Sequence, residues 1–182
     1  MINNEINSTV QTKIFTLAYD RIYIIMRILG IDPGMAITGY AVIDYECDIP
    51  MLAASGSIQT DKESASQERL LVIYNDLSTI IKSYKPDCAA VEKLYFFRNQ
   101  KTIIPVAEAR GVILTILEKY KIRAYEYTPI EVKQVLTGYG RAGKKDVEQM
   151  VKCVLNYEYM PKLDDTIDAI AIAICHSRKI LF

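Results

Sequence analysis

Asp32, Glu92, Asp165 and Asp168 are acids whose positions allow them to act together. Asp32 follows the β-branched run Arg27 to Ile31 and opens the turn Asp32-Pro33-Gly34, so it stands at a strand end. Glu92 ends the apolar run Cys88 to Val91, a segment of strand length with the composition of a strand buried on both faces. Ligands of open α/β sheets gather outside carboxyl strand ends, which places both acids in a cleft. Asp165 and Asp168 are three residues apart at the start of a helix made otherwise of alanine and isoleucine, so they project from one helical face. Clustered carboxylates repel one another and raise each other's pKa unless a cation neutralises them. Four oxygen donors without histidine or cysteine suit magnesium, which manganese can replace. Two such ions about 4 Å apart can activate a water and stabilise the leaving oxygen in phosphodiester cleavage. The alternative for the residues taken alone is that Asp32 is a turn residue and that Asp164, Asp165 and Asp168 cap a helix and complement its dipole.

The elements that must position these acids are legible as changes of period. Gly39 to Ile43 and Met51 to Ile58 read as strands that continue from the first in an antiparallel meander. Leu70, Ile73, Tyr74, Leu77, Ile80, Ile81 and Tyr84 then recur at spacings of three and four, an amphipathic helix closed by Pro86-Asp87. Thr102 to Leu117 forms a second helix and Ile122 to Tyr127 a fifth strand. Thr128-Pro129-Ile130-Glu131 supplies an N-cap, a proline at the first helical position and a glutamate three residues after the cap. Helices over Lys144 to Leu155 and about Asp165 to Ser177 complete an α/β domain, a mixed five-stranded sheet with helices on both faces. Residues 1–25 form an extension to which no function is assigned, and residues 26–182 a single domain.

Five short motifs carry a resemblance. Gly30-Ile31-Asp32-Pro33-Gly34, Thr38-Gly39-Tyr40, Val91-Glu92-Lys93, Ala107-Glu108-Ala109-Arg110-Gly111 and Asp165-Thr166-Ile167-Asp168-Ala169-Ile170-Ala171 resemble, in order and spacing, the RuvC family of Holliday-junction resolvases. The resemblance runs from about Arg27 to His176. It implies a ribonuclease-H-like fold and a magnesium-dependent homodimer that nicks two opposed strands of a four-way DNA junction, in recombination and repair. It puts the four catalytic and metal-binding carboxylates at Asp32, Glu92, Asp165 and Asp168, and RuvA and RuvB among the partners. Asp164 is an additional acid beside the last motif, so the register between Asp164 and Asp165 is left open.

Lys133, Arg141, Lys144 and Lys145 lie in a segment from Val132 to Lys145 that contains no acid, and phosphate contact is the functional reading. The alternative is a solvated turn made pliable by Gly138, Gly140 and Gly143. Lys133 and Lys144 also match basic DNA-contacting positions of the family. Lys93 to Lys101 interleaves bases with Tyr95, Phe96 and Phe97, rings suited either to the core or to stacking on unpaired bases. Tyr95 matches the position where an aromatic of the family does the stacking. A homodimer suits the twofold symmetry of a junction, and the helix over 102–117 is the candidate interface, with more apolar residues than one buried face demands.

The 22 basic and 22 acidic side chains cancel, so no global positive field marks a nucleic-acid partner. Cys47, Cys88, Cys153 and Cys175 form no CxxC pair, and His176 is the sole histidine, which leaves a zinc site without ligands. Buried thiols in a reducing cytoplasm are expected. No uncharged apolar run reaches the length of a membrane span. Three other functions compete. The Gly-Ile-Asp-Pro-Gly turn also resembles the phosphate loop of actin-like ATPases, though no second half of such a protein is present. A related nuclease acting on RNA shares the chemistry, and a junction-binding protein would use the same acids only to brace the fold.

Overall fold

The computed structural model describes residues 13–16, 22–94, 100–156 and 164–180, with side chains over 26–94, 103–156 and 166–180. Strand β2 (Ile22–Asp32) lies at the centre of a mixed sheet. It pairs antiparallel with β3 (Ile37–Glu46), which pairs in turn with β4 (Ile49–Gln59). On its other edge β2 runs parallel to β5 (Cys88–Glu92), and β5 runs parallel to β6 (Arg123–Tyr127). The order β4-β3-β2-β5-β6 contains the five strands expected. One strand more is present: β1 (Lys13–Thr16) pairs antiparallel with residues Ile22 to Ile25, so β2 starts earlier than its β-branched core indicates.

The helices are α1 (Ser66–Tyr84), α2 (Gln100–Lys119), α3 (Pro129–Thr137), α4 (Lys144–Leu155) and α5 (Asp164–Lys179). Side chains alternate across a strand, and the two faces of the sheet therefore enter two cores. Leu29, Ile31, Ala89 and Val91 pack with Ile73 and Leu77 of α1 and with Ile113, Ile116 and Leu117 of α2. Ile28, Cys88 and Ala90 pack on the opposite face with α3, α4 and the fully buried Ile170, Ile172 and Ile174 of α5. None of the helices is long and apolar enough to cross a membrane among the described residues.

Two of the four cysteines depart from the expectation of burial. Cys88 and Cys175 are buried, but Cys47 and Cys153 are exposed. Cys47 and Asp48 form the tip of the β3–β4 hairpin, both in the left-handed region at φ 50° and 66°, as two-residue hairpin turns require. Cys153 lies off the face of α4 that buries Val147, Val151 and Leu155.

Helix α5 rests on β2 at a point where only glycine fits. A Cβ at Gly30 would lie 2.1 Å from the Ala169 carbonyl oxygen and 2.8 Å from the Ala173 Cβ. Both neighbours are backbone or the stub of a small side chain, so neither can rotate away. At the other end of α5, His176 is buried with Nε2 3.3 Å from the Cys88 Sγ and Nδ1 2.7 Å from the Tyr127 hydroxyl. Burial pushes the His176 imidazole down to about 4 and the Cys88 thiol up to about 12.

Three outcomes are expected. Gly30→Ala should lower unfolding free energy by about 1–3 kcal/mol through overpacking. Gly111→Ala in α2, where an added Cβ meets nothing within 4 Å, should be neutral or stabilising. Equal urea midpoints for Gly30→Ala and wild type would refute the close approach of α5. For His176 the unfolded state binds a proton below about 6.5, while the folded state does so only below about 4. The group therefore costs no stability above pH 6.5, and a penalty of about 3 kcal/mol builds up as pH falls towards 4. NMR of the sole imidazole should give a folded-state midpoint near 4, and a midpoint near 6.5 would contradict it.

Candidate active site

Strand register determines which acids meet. Ile31 of β2 is the partner of Val91 in β5, so the next residues, Asp32 and Glu92, leave adjacent strands at the same level. Alternation then selects the face. Ile28 and Gly30 of β2 and Cys88 and Ala90 of β5 face α5, and so do Asp32 and Glu92, two residues further along each strand. The turn after Asp32 is secured by Thr38, a fully buried residue whose hydroxyl donates to the Gly34 carbonyl at 2.6 Å. Asp168 reaches the same place from α5, in a small cavity it lines with Glu92, Lys133, Val147 and Pro129. The close approach at Gly30 sets the height of this helix above the strand ends.

The three acids interact through their charges. Burial is the main cause that pushes Glu92 up to about 8, and the neighbouring charges of Asp32 and Asp168 and a hydrogen bond shared with Asp32 add to it. Burial also raises Asp168, against the opposing charges of Lys144 and Lys133. Such a group of oxygen donors is destabilised while its negative charge has no counter-ion, and a hard divalent cation is the matching partner. Among the described residues no three acidic, histidine or cysteine side chains already converge on one point. The side chains of Asp164 and Asp165 lie outside the described residues, although the backbone of both opens α5.

The expected basic residues divide into two groups. Lys133, half-buried on α3, and Lys144, at the start of α4, lie close enough to Asp168 to oppose its shift. Arg141 and Lys145 are exposed on the turn and on the first helical turn beyond it. Helix α3 is set by its capping box: the Thr128 hydroxyl accepts from the Glu131 amide, and the Glu131 carboxylate accepts from the Thr128 amide. Tyr95, expected to stack on a base, lies outside the described residues.

Arg110 belongs to the Ala107-to-Gly111 motif, which by itself assigns it no role. It lines a cavity of about 180 Å³ together with Asp32, Glu92, Lys93 and Val106. One guanidinium nitrogen pairs with Glu126 of β6, while the buried Nε has no hydrogen-bond partner among the described residues. The signal in the sequence is the pair of charges Glu108 and Arg110 inside the apolar run of α2, where Ile113, Ile116 and Leu117 are buried.

Comparison with known proteins agrees with this geometry. The family model described as "Crossover junction endodeoxyribonuclease RuvC" matches residues 28–176. The protein of that name from Halothermothrix orenii is 50% identical over 154 residues, 85% of this chain and 93% of its own. Its namesake from Finegoldia magna is 47% identical over 152 residues, 83% of this chain and 92% of its own. The structure of Thermus thermophilus RuvC superposes with a TM-score of 0.80 at 29% identity, over 86% of this chain and 96% of that one. The T. thermophilus protein in complex with a Holliday junction substrate gives the same TM-score and identity, over 85% and 94%. The match across both strand-end acids and α5 means that this chain belongs to the RuvC family of crossover junction endodeoxyribonucleases, with a ribonuclease-H-like fold.

Proposed function

We propose that this chain resolves Holliday junctions by hydrolysing one phosphodiester bond in each of two opposed strands, with magnesium held by Asp32, Glu92, Asp165 and Asp168. The observation that carries the reading is that Glu92 lines one cavity with Asp32 and a second with Asp168, where the ends of the parallel strands β2 and β5 meet α5. Two ions bound there would supply Lewis acidity to the attacking water and charge stabilisation to the leaving oxygen, and manganese could replace magnesium. The chain's own groups do the rest. The carboxylates hold the cations, and Lys133 and Lys144 moderate the negative charge that remains at Asp168. Lys93 and Arg110 line the cavity beside the acids and give an entering phosphodiester two positive neighbours.

The DNA arms would lie over Lys133, Arg141, Lys144 and Lys145, with Tyr95 stacking near the scissile phosphate. A homodimer would present two such sites to the two opposed strands. The outer face of α2 suits that interface, since Ile104 is 66% exposed while Ile113 and Ile116 of the same helix are fully buried. RuvA and RuvB are the partners that family membership suggests.

Single-turnover cleavage of a synthetic mobile junction with end-labelled strands tests the acids. Asp32→Asn, Glu92→Gln, Asp165→Asn and Asp168→Asn should each lower the rate by about 100-fold or more and leave junction affinity within a few-fold. Full activity in Asp165→Asn with loss in Asp164→Asn would move the metal ligand by one residue. Full activity in Glu92→Gln would contradict the site itself. The basic segment has a separate test in the salt dependence of binding. Lys144→Ala should make log affinity against log salt shallower by about 0.9, the share of one neutralised phosphate. An unchanged slope would remove Lys144 from the binding surface.

A further inference from the structure

Between α3 and α4 the chain presents a ring that the fold does not use. Tyr139 is 61% exposed, and among the described residues no ring or cation packs on it. Exposed aromatics are commonly mobile, but the backbone that carries this one is held on both sides. Gly138 ends α3 in the left-handed region at φ 76°, a conformation suited to glycine. The Gln134 side chain then spans the turn, donating from Nε2 to the Gly138 carbonyl at 2.8 Å and accepting at Oε1 from the Gly140 amide at 3.0 Å. The Thr137 hydroxyl accepts from the Tyr139 amide at 3.1 Å, and its single proton is shared between the Lys133 carbonyl at 2.8 Å and the Tyr139 carbonyl at 3.1 Å. That carbonyl also accepts from the Ala142 amide at 3.0 Å. A Cβ at Gly140 would lie 2.9 Å from the Ile130 Cγ2, so the turn closes tightly onto Ile130, which is itself 47% exposed.

A side chain ordered at its root and left in solvent loses little further freedom when a ligand meets it, which favours binding. The surroundings identify the ligand. Lys133, Arg141, Lys144 and Lys145 flank Tyr139 along the chain in a segment without an acid, so the partner is a polyanion with flat apolar faces, which describes a nucleic acid. A protein partner would be expected to offer acids to the bases but has no particular need for an isolated ring. We propose that Tyr139 is a DNA contact, its ring packed against a base or sugar of the junction beside the active site. The inference rests on the basic segment being the DNA surface. It adds an interaction whose energy is independent of salt, next to lysines whose contribution is not.

Fluorescence anisotropy with a labelled four-way junction, at several salt concentrations, separates the two ideas. Tyr139→Ala should weaken binding roughly fivefold to a hundredfold, the loss of one stacked base, with the salt slope unchanged. Tyr139→Phe should bind as wild type does. The side chain is exposed and its turn is held by backbone atoms and by Gln134 and Thr137, so the melting temperature of Tyr139→Ala should match wild type. Binding of Tyr139→Ala within twofold of wild type, while Lys144→Ala binds weakly with a shallower slope, would overturn the proposal and leave the DNA surface standing. Normal binding and slope in both variants would overturn the DNA surface and the proposal together. A reduced melting temperature with equal losses in the Ala and Phe variants would make Tyr139 a structural residue and also overturn it.

Discussion

Asp32, Glu92 and Asp168 repel one another, and much of the fold near them serves to hold them together in spite of that. Parallel pairing of β2 with β5 brings the first two to one level, and side-chain alternation turns both towards α5. Gly30 lets α5 approach until the Ala169 carbonyl occupies the space of a side chain, and this fixes where Asp168 arrives. The fully buried isoleucines of α5 and their partners from α3 and α4 secure the helix against the resulting strain in charge. Burial of Glu92 weighs more than the repulsion, because loss of solvation by itself disfavours the charged carboxylate.

The same arrangement organises the positive side of the site. Helix α3 begins at a threonine whose capping box fixes its first turn, and one turn further on Lys133 is half-buried near Asp168. Helix α4 begins after the glycine-containing turn, so Lys144 stands at its first residue and also faces Asp168. Both positive charges thus lie close enough to oppose the shift of Asp168.

Much of this was legible in the chain. Asp32 and Glu92 each follow a short apolar run, and such runs end at the edge of a sheet; Thr128 and Glu131 announced α3 by a local rule that the hydrogen bonds reproduce. The facing of Asp32 and Glu92 was not legible, because it depends on the register between β2 and β5, segments about sixty residues apart. The hairpin tip at Cys47 and Asp48 carried no glycine or asparagine to mark its positive φ, so a thiol expected in the core lies in solvent. Strand β1 had no alternating pattern of its own and takes its conformation from pairing with the extension of β2. Arg110 stood out only as one of two charges, with Glu108, in the apolar middle of α2, and its place beside the acids follows from how α2 packs over the sheet.

The central claim is that the acids at the strand ends cost stability until a cation joins them. It is tested most directly by comparing melting temperatures of wild type and Glu92→Gln, in chelator and with magnesium or manganese added. In chelator the amide should melt several degrees higher, since it keeps the shape and the hydrogen bond to Asp32 but removes a buried carboxyl under repulsion. Added metal should then raise the wild-type melting temperature and leave that of Glu92→Gln nearly unchanged. A wild-type protein that melts higher than Glu92→Gln in chelator and does not respond to metal would contradict the account.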